Sequence, residues 1–104
     1  MAGPSTAPFR PNAAATVTVA ATTTSGSTTV ALVGAGTDLL ITNAGTGTAF
    51  FEQGTSTQTA ATATGLPLLP GEVLTIGRHV GSTHVVAITA TGTATVYVTT
   101  GEGS

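Results

Sequence analysis

Hydrophobic and polar residues alternate one by one over short stretches of this chain, which is the pattern of strands rather than helices. Thr and Val alternate over residues 16–20, and similar stretches recur between clusters of Gly, Pro, Asn and Ser. A period of two places alternate side chains on one face of a sheet. The pattern predicts seven or eight short strands, the fifth of them weak: residues 16–20, 28–33, 38–43, 48–53, 57–64, 72–76, 83–90 and 93–100.

Short strands at regular spacing are typical of all-β sandwiches and jelly rolls. We therefore expect a small antiparallel β-sandwich, jelly-roll-like, over residues 16–100, followed by a polar tail over residues 101–104. Residues 66–71 form an apolar link in which Pro70-Gly71 suits the centre of a type II turn. The last two strands are predicted to form a hairpin around residues 91–92.

The N-terminal residues 1–15 differ from the rest because they contain Pro4, Pro8 and Pro11. Proline fixes φ and removes a backbone donor, so this segment is predicted to be an extended arm outside the sandwich. Its bulky side chains are Phe9 and Arg10.

Charged residues are few and scattered along the chain, and this argues against partners that are recognised through a charged patch. The 104 residues include two Lys or Arg and four Asp or Glu, so 6% are charged, whereas soluble domains average about 25%. Without a basic patch, neither nucleic acid nor an anionic membrane surface is an expected partner. We also expect no transmembrane helix and no signal peptide, and therefore synthesis in the cytoplasm.

Few large hydrophobic residues are available, so the core is predicted to be thin and rich in Ala, Val and Thr. Monomeric β proteins protect their edge strands with charge, above all Lys, and this chain has no Lys. An assembly of several copies, a dimer or a trimer, would cover such edges. A monomer with short, twisted edges is the alternative.

Candidate chemistry was sought first in the histidines. His79 and His84 flank a loop, and Glu72 or Glu102 could add a carboxylate, but metal sites usually need three or four supported ligands. Surface histidines are the simpler interpretation. We predict no metal and no cofactor.

A serine triad and a phosphate loop are the other candidates. Ser82, a histidine and Asp38 could in principle form a triad, but no Gly-x-Ser-x-Gly elbow is present. Gly34-Ala-Gly36 and Gly45-Thr-Gly47 lack a third glycine and a following helix, so they are interpreted as turn glycines with φ > 0. We predict no catalytic residues, no small-molecule substrate and no enzymatic activity.

Contacts with a partner are predicted from aromatic and cationic residues. Adjacent strand residues point to opposite faces, so of Phe50 and Phe51 one fills the core and the other faces outward, unless both faces are covered within the domain. Tyr97 follows the same logic. The two arginines are expected to pair with carboxylates within the chain or across an interface. The candidate interface residues are Phe9, Arg10, Phe50, Phe51, Arg78 and Tyr97.

Five segments together resemble a known family: Ile-Thr-Asn-Ala-Gly at 41–45, Ala-Phe-Phe-Glu-Gln-Gly at 49–54, Leu-Pro-Leu-Leu-Pro-Gly-Glu at 66–72, Thr-His-Val-Val-Ala-Ile at 83–88 and Val-Tyr-Val-Thr-Thr-Gly-Glu-Gly at 96–103. Their order is similar to that of the head decoration (cement) proteins of tailed bacteriophages. The resemblance covers about two-thirds of the chain.

This resemblance implies a jelly roll or related sandwich that is oligomeric on the capsid exterior. It also implies that the major capsid protein is the partner, and that the N-terminal arm lies along the capsid or along a neighbouring subunit. The expected function is to stabilise the shell. Similar modules occur in phage tails, spikes and fibres, which is the first alternative, and a carbohydrate-binding β-sandwich is the second.

Overall fold

The computed structural model describes residues 9–23, 29–62 and 64–102, and within them every regular element is a strand. None of the described residues forms a helix long and apolar enough to cross a membrane. The eight strands of the described part are β1 (Arg10–Ala21), β2 (Val30–Ala31), β3 (Asp38–Asn43), β4 (Ala49–Gly54), β5 (Leu66–Leu68), β6 (Val73–Gly77), β7 (His84–Thr89) and β8 (Ala94–Glu102).

The strands form two four-stranded antiparallel sheets. Sheet I has the order β1-β8-β3-β6 and sheet II the order β2-β7-β4-β5. Strands that pair from the two ends of the chain inward (β1 with β8, β2 with β7, β3 with β6, β4 with β5) give the wrapped topology of an eight-stranded jelly roll. The predicted all-β class and antiparallel sandwich are confirmed.

The core lies between the two sheets, where alternate residues of each strand point inward. In β3 the buried and half-buried positions alternate strictly, with Leu39, Ile41 and Asn43 inside. Register extends this across the sheet, because Ile41 lies opposite Val98 of β8. From sheet II the core receives Phe51, Leu68, Val85 and Ala87, all buried. The predicted bounds of this third strand, residues 38–43, are confirmed.

The predicted turn at Pro70-Gly71 is also confirmed. Gly71 has a φ of +80°, and the Glu72 amide donates to the Leu69 carbonyl oxygen at 2.9 Å. Glu72 adds a second bond, because its Oε1 accepts from the Leu69 amide at 2.9 Å. Only glycine tolerates this φ at the third turn position without steric strain.

The predicted hairpin around residues 91–92 is wrong. β7 lies in sheet II between β2 and β4, whereas β8 lies in sheet I between β1 and β3. The connection therefore arches from one sheet to the other, and the Thr89 hydroxyl donates to the Gly92 carbonyl at 2.7 Å within it. Both strands are hydrophobic enough to occupy central positions, and local pattern does not distinguish an arch from a hairpin.

The fifth predicted strand, residues 57–64, is also wrong. Its backbone bonds are local, from the Gln58 amide to Thr55 O at 3.0 Å and from the Gly65 amide to Ala61 O at 2.9 Å. Ala60 is buried against sheet II. Small Thr and Ala side chains bury little apolar surface, so placing them in a sheet contributes little free energy. A loop can still bury Ala60 against sheet II. The neighbouring residues 66–68, predicted as a link, form β5 instead.

The predicted boundaries of the arm and tail differ from the strand bounds. β1 begins at Arg10 and pairs with β8, although the register shifts between Pro11 and Thr16. Pro11 is tolerated because an edge strand does not need every donor. β8 in turn runs to Glu102, so the predicted tail is partly strand. The remainder of the predicted arm, residues 1–8, and residues 103–104 lie outside the described residues.

The glycines of the 43–47 loop act by close approach rather than by φ. Gly34 and Gly36 have φ of +83° and +141°, as turn glycines were predicted to have, but Gly45 does not have positive φ. A Cβ built on Gly45 would lie 2.5 Å from the Cα of Ala94 and 2.9 Å from the Thr95 amide nitrogen. Only glycine lets this loop contact the start of β8.

Candidate interaction surface

The histidines considered for metal binding take part in separate hydrogen bonds. His84 begins β7, and its Nδ1 lies 2.8 Å from the Thr83 hydroxyl. His79 follows β6, and its amide donates to Gln53 Oε1 at 2.9 Å. Among the described residues no group of three or more His, Cys, Asp or Glu is arranged to hold a metal ion.

The residues considered for a serine triad are likewise held by separate contacts. Ser82 is buried in a turn, where its amide donates to the His79 carbonyl at 3.0 Å. Asp38 begins β3 opposite Gly77 and Gly101. Across residues 9–23, 29–62 and 64–102, no recorded hydrogen bond joins the Ser82 hydroxyl or the Asp38 carboxylate to an imidazole.

Arg78 holds two loops together through carbonyl oxygens. Its Nε donates to Ser82 O at 3.0 Å and its Nη1 to Gly34 O at 3.1 Å. Arg10 is exposed and lies opposite Glu102 in the β1–β8 ladder. Within the described part, Arg78 is therefore bonded to backbone rather than to the carboxylate predicted from the sequence.

Phe9 lies beside the first residues of β1 and is half-buried. A Cβ at Gly101 would lie 2.7 Å from Phe9 Cζ, so the absence of a side chain at Gly101 leaves room for the ring. Phe9 therefore packs on the end of sheet I.

The outer face of sheet II is covered by the chain itself. Residues 55–62 and 64–65, which we call the covering loop, lie over it, and Ala60 forms a small cluster there with Val86, Ile88 and the half-buried Phe50. Glu52 fixes the loop, since its Oε1 accepts from Gln58 Nε2 at 3.1 Å and its Oε2 from the Thr64 hydroxyl at 3.2 Å.

The two phenylalanines of β4 therefore serve the domain itself. Phe51 is 2% exposed in the core between the sheets, and Phe50 packs in the cluster on the outer face. Of the alternatives left open by the sequence, coverage of both faces of this strand within the domain is the one found. Of the six candidate interface residues, Tyr97 is the aromatic one that lies exposed, at 41%.

Among residues 9–23, 29–62 and 64–102, no comparable loop packs on the outer face of sheet I. Strand register places the residues of this face in rows across β1, β8, β3 and β6, and we call two adjacent rows the bare face; the row beside them contains Asp38. The first row is Thr18, Tyr97, Thr42 and Val73, and the second is Thr16, Thr99, Leu40 and Thr75. With strands about 4.8 Å apart, each row spans about 15 Å. None of the eight residues is charged, and Val73 is 55% exposed.

The edges of the two sheets are protected to different degrees. β5 is three residues long and contains Pro67, which cannot donate to a further strand. β1 contains Pro11 and a register shift, and beyond its C-terminal end Thr22 bridges to Ile88 of sheet II. β6 has five regular residues, without proline or charge. β2, the other edge of sheet II, has two residues. Within the part of the chain that the structure describes, β6 therefore presents a regular edge without proline, charge or a register shift.

The side chain of Gln53 bridges the two sheets beside this edge. Gln53 of β4 donates from Nε2 to the Gly77 carbonyl of β6 at 3.0 Å and accepts from the His79 amide at 2.9 Å. An open cleft of about 380 Å³ lies here, lined by residues that include Glu52, Leu66 and Ile76. No local pattern predicts this bridge, because it joins positions that only the tertiary fold brings together.

The sequence also missed Leu40, Thr42, Val73 and Thr75 as surface candidates. Alternation predicts which residues share a face of a strand, but it does not predict whether another segment covers that face. The covering loop protects sheet II and leaves sheet I open, and that difference first appears in the folded chain.

Comparison of the chain with family models, with curated proteins and with solved structures gave no match.

Proposed function

We propose that the protein is a non-enzymatic structural component of a tailed-phage particle, a decoration (cement) protein that binds the exterior of the assembled shell of major capsid protein. The resemblance of the five segments named above suggests this class. A jelly roll is compatible with it, since viral capsid domains often have this topology, although lectin domains have it too. Fold alone does not decide function, so the proposal depends on the surface.

The observation that carries the proposal is the contrast between the two outer faces. Sheet II is covered by its own loop, whereas the bare face of sheet I consists of eight uncharged residues, most of them threonines, around Tyr97, with Asp38 in the next row. Charged residues are depleted in the centres of protein interfaces and aromatic residues are enriched there. A rigid, uncharged sheet face suits a fixed structural contact with another protein surface.

The mechanism in this proposal is mass action. A protein that binds the assembled shell, but not dissociated subunits, stabilises the shell by RT ln(1 + [L]/Kd). At a free concentration of 100 Kd this amounts to about 2.7 kcal/mol for each site. No covalent step is needed, and none of the candidate catalytic residues takes part.

The test uses capsids of the phage that encodes this chain, prepared without the protein. Purified wild-type protein, Tyr97→Lys and Val80→Lys are mixed with the capsids, and the bound fraction is measured after sedimentation. Val80 is the matched control, because it is fully exposed in the turn at residues 80–81 and is not one of the eight residues of the bare face. Tyr97→Lys is expected to reduce binding at least about tenfold, as is common for a central aromatic contact.

Val80→Lys is expected to bind like the wild type. Decorated capsids should also rupture at a higher temperature than bare ones. If the wild-type protein does not sediment with capsids, or if it is found in isolated tails instead, the cement proposal is wrong. Equal binding by all three proteins would instead refute the role of the bare face.

A further inference from the structure

The open edge of β6 suits a second copy of the same strand. We propose that two molecules associate about a two-fold axis at Thr75, with their β6 strands antiparallel, so that the two copies of sheet I form one continuous eight-stranded sheet. This inference does not depend on the proposed function, because it concerns only the protein's association with itself.

The hydrogen-bonding groups of β6 are oriented for such pairing. Within sheet I, the amide of Asn43 bonds to Glu72 O at 3.0 Å and the amide of Arg78 to Thr37 O at 2.8 Å. In an antiparallel ladder these inward-bonding positions alternate with outward-bonding ones. Val73, Thr75 and Gly77 therefore direct their N–H and C=O groups toward the open edge.

A two-fold axis at Thr75 places these outward groups opposite one another. Thr75 meets Thr75 of the second copy, and Val73 meets Gly77, each as a hydrogen-bonded pair. The Gly77 carbonyl already accepts from Gln53, but a carbonyl oxygen has two lone pairs and can accept a second bond. Gly77 has no side chain, and nothing lies within 4 Å of a Cβ built there.

Charge complementarity selects this register. Glu72 and Arg78 are the charged residues that flank β6, and each is three positions from Thr75. Across the axis, Glu72 of each copy lies opposite Arg78 of the other in a non-hydrogen-bonded pair, where side chains approach most closely. Glu72 bonds within the chain through Oε1 and Arg78 through Nε and Nη1, so the contact across the axis would use Glu72 Oε2 and Arg78 Nη2. A shift by two residues would remove both opposite-charge contacts.

Apolar surface along this side of the sandwich supports the same interface. Leu66, Leu69 and Val73 are exposed by 38%, 59% and 55%, and they lie on β5, on the link that follows it and on β6. Half-buried Leu74 and Ile76 would also meet across the axis. Three of the six large hydrophobic residues exposed in the described part are thus on the side that the second copy would cover.

The first experiment uses the absence of cysteine from the chain. Thr75→Cys places two thiols at the axis, with Cα atoms about 5.5 Å apart, within the range that a disulfide spans. Under mild oxidation at micromolar protein, it should form a disulfide dimer about a hundredfold faster than Thr18→Cys. Paired thiols have a millimolar effective concentration, whereas Thr18 lies on β1 at the far edge of the same face.

Register is tested on the same strand. Two copies of Val73→Cys lie about 14 Å apart in the proposed pairing, so this variant alone should cross-link slowly. An equimolar mixture of Val73→Cys and Gly77→Cys should form the mixed dimer rapidly. Rapid cross-linking of Val73→Cys with itself, or equal rates for Thr75→Cys and Thr18→Cys, would overturn the proposed interface.

Sedimentation equilibrium tests the charge pairing without cross-links. Glu72→Arg should raise the dissociation constant at least about fivefold, since two symmetry-related attractions become repulsions. The double variant Glu72→Arg with Arg78→Glu should restore association, provided that circular dichroism shows the native fold. If the double variant is folded but no tighter than Glu72→Arg, or if the wild type stays monomeric at every concentration, the proposal is wrong. Tyr97→Lys should dimerise normally, which separates this interface from the capsid contact.

Discussion

Asn43 connects the two sheets through a fully buried amide, and its removal should be costly. Its Nδ2 donates to Gly47 O and to Leu68 O, each at 2.9 Å, and its Oδ1 accepts from the Gly45 amide at 2.9 Å. The residue is 0% exposed. Asn43→Ala would therefore leave two carbonyl oxygens and one amide inside the protein without their partner.

The magnitude follows from these three bonds. A typical intramolecular hydrogen bond contributes about 0.5–1.5 kcal/mol net, so their loss should lower the free energy of unfolding by about 3 kcal/mol. Domains have about 5–15 kcal/mol in total, so the effect is a large fraction of the stability. Asn43→Asp should cost at least as much at neutral pH, because a carboxylate only accepts and would face two carbonyl oxygens.

Urea unfolding followed by far-UV circular dichroism measures this loss. With an m value of about 2 kcal/mol/M, the midpoint should fall by about 1.5 M for Asn43→Ala while the slope stays constant. The control is Thr42→Val, the neighbouring residue on the bare face, which should change stability by less than about 0.5 kcal/mol. If Asn43→Ala lowers the free energy of unfolding by no more than Thr42→Val does, the proposed role of Asn43 in joining the sheets through Leu68 is refuted.

Three further changes test other parts of the fold. Gly36→Ala should destabilise far more than Gly71→Ala, because its Cβ would overlap the backbone of β8, whereas Gly71 has nothing within 4 Å; thermal melts of both variants compare them. Glu52→Ala should speed hydrogen exchange and proteolysis in the covering loop while the core strands stay protected. If the loop of the variant is as protected as that of the wild type, Glu52 does not hold the loop in place. Phe51→Ala should lower the free energy of unfolding by about 3–5 kcal/mol and Phe50→Ala by less, and equal losses in urea would show that their burial was misjudged.

Much of the fold was predictable because its signals are local. The apolar run of β3 and the glycine-rich loop after Asn43 indicated the bounds of this strand, and the dipeptide Pro70-Gly71 indicated its turn through the φ that glycine accepts readily. The candidate surface was predicted only in part. Tyr97 was identified as an exposed aromatic residue, whereas Phe50 and Phe51 turned out to pack within the domain.

The errors arose where a local pattern has two tertiary outcomes. An arch and a hairpin can join the same two strands, so the separation of β7 from β8 depended on partners far away in the chain. Residues 57–64 alternate like a strand, yet Ala60 gains more by covering Val86 and Ile88 than a Thr-rich strand would gain by pairing. β5 was missed because Pro67 argues against a strand, except at an edge.

The sequence by itself determined the all-β class, the alternation of inward and outward residues and the scarcity of charge, because each depends on neighbouring residues or on composition. The tertiary structure alone decided which strands share a sheet, which outer face the covering loop protects and which edge stays open. Those outcomes depend on contacts between residues far apart in the chain, such as the bonds of Glu52 to the covering loop and of Gln53 to β6. Which distant strands pair depends on how all segments compete for the same core, and no single segment determines that outcome.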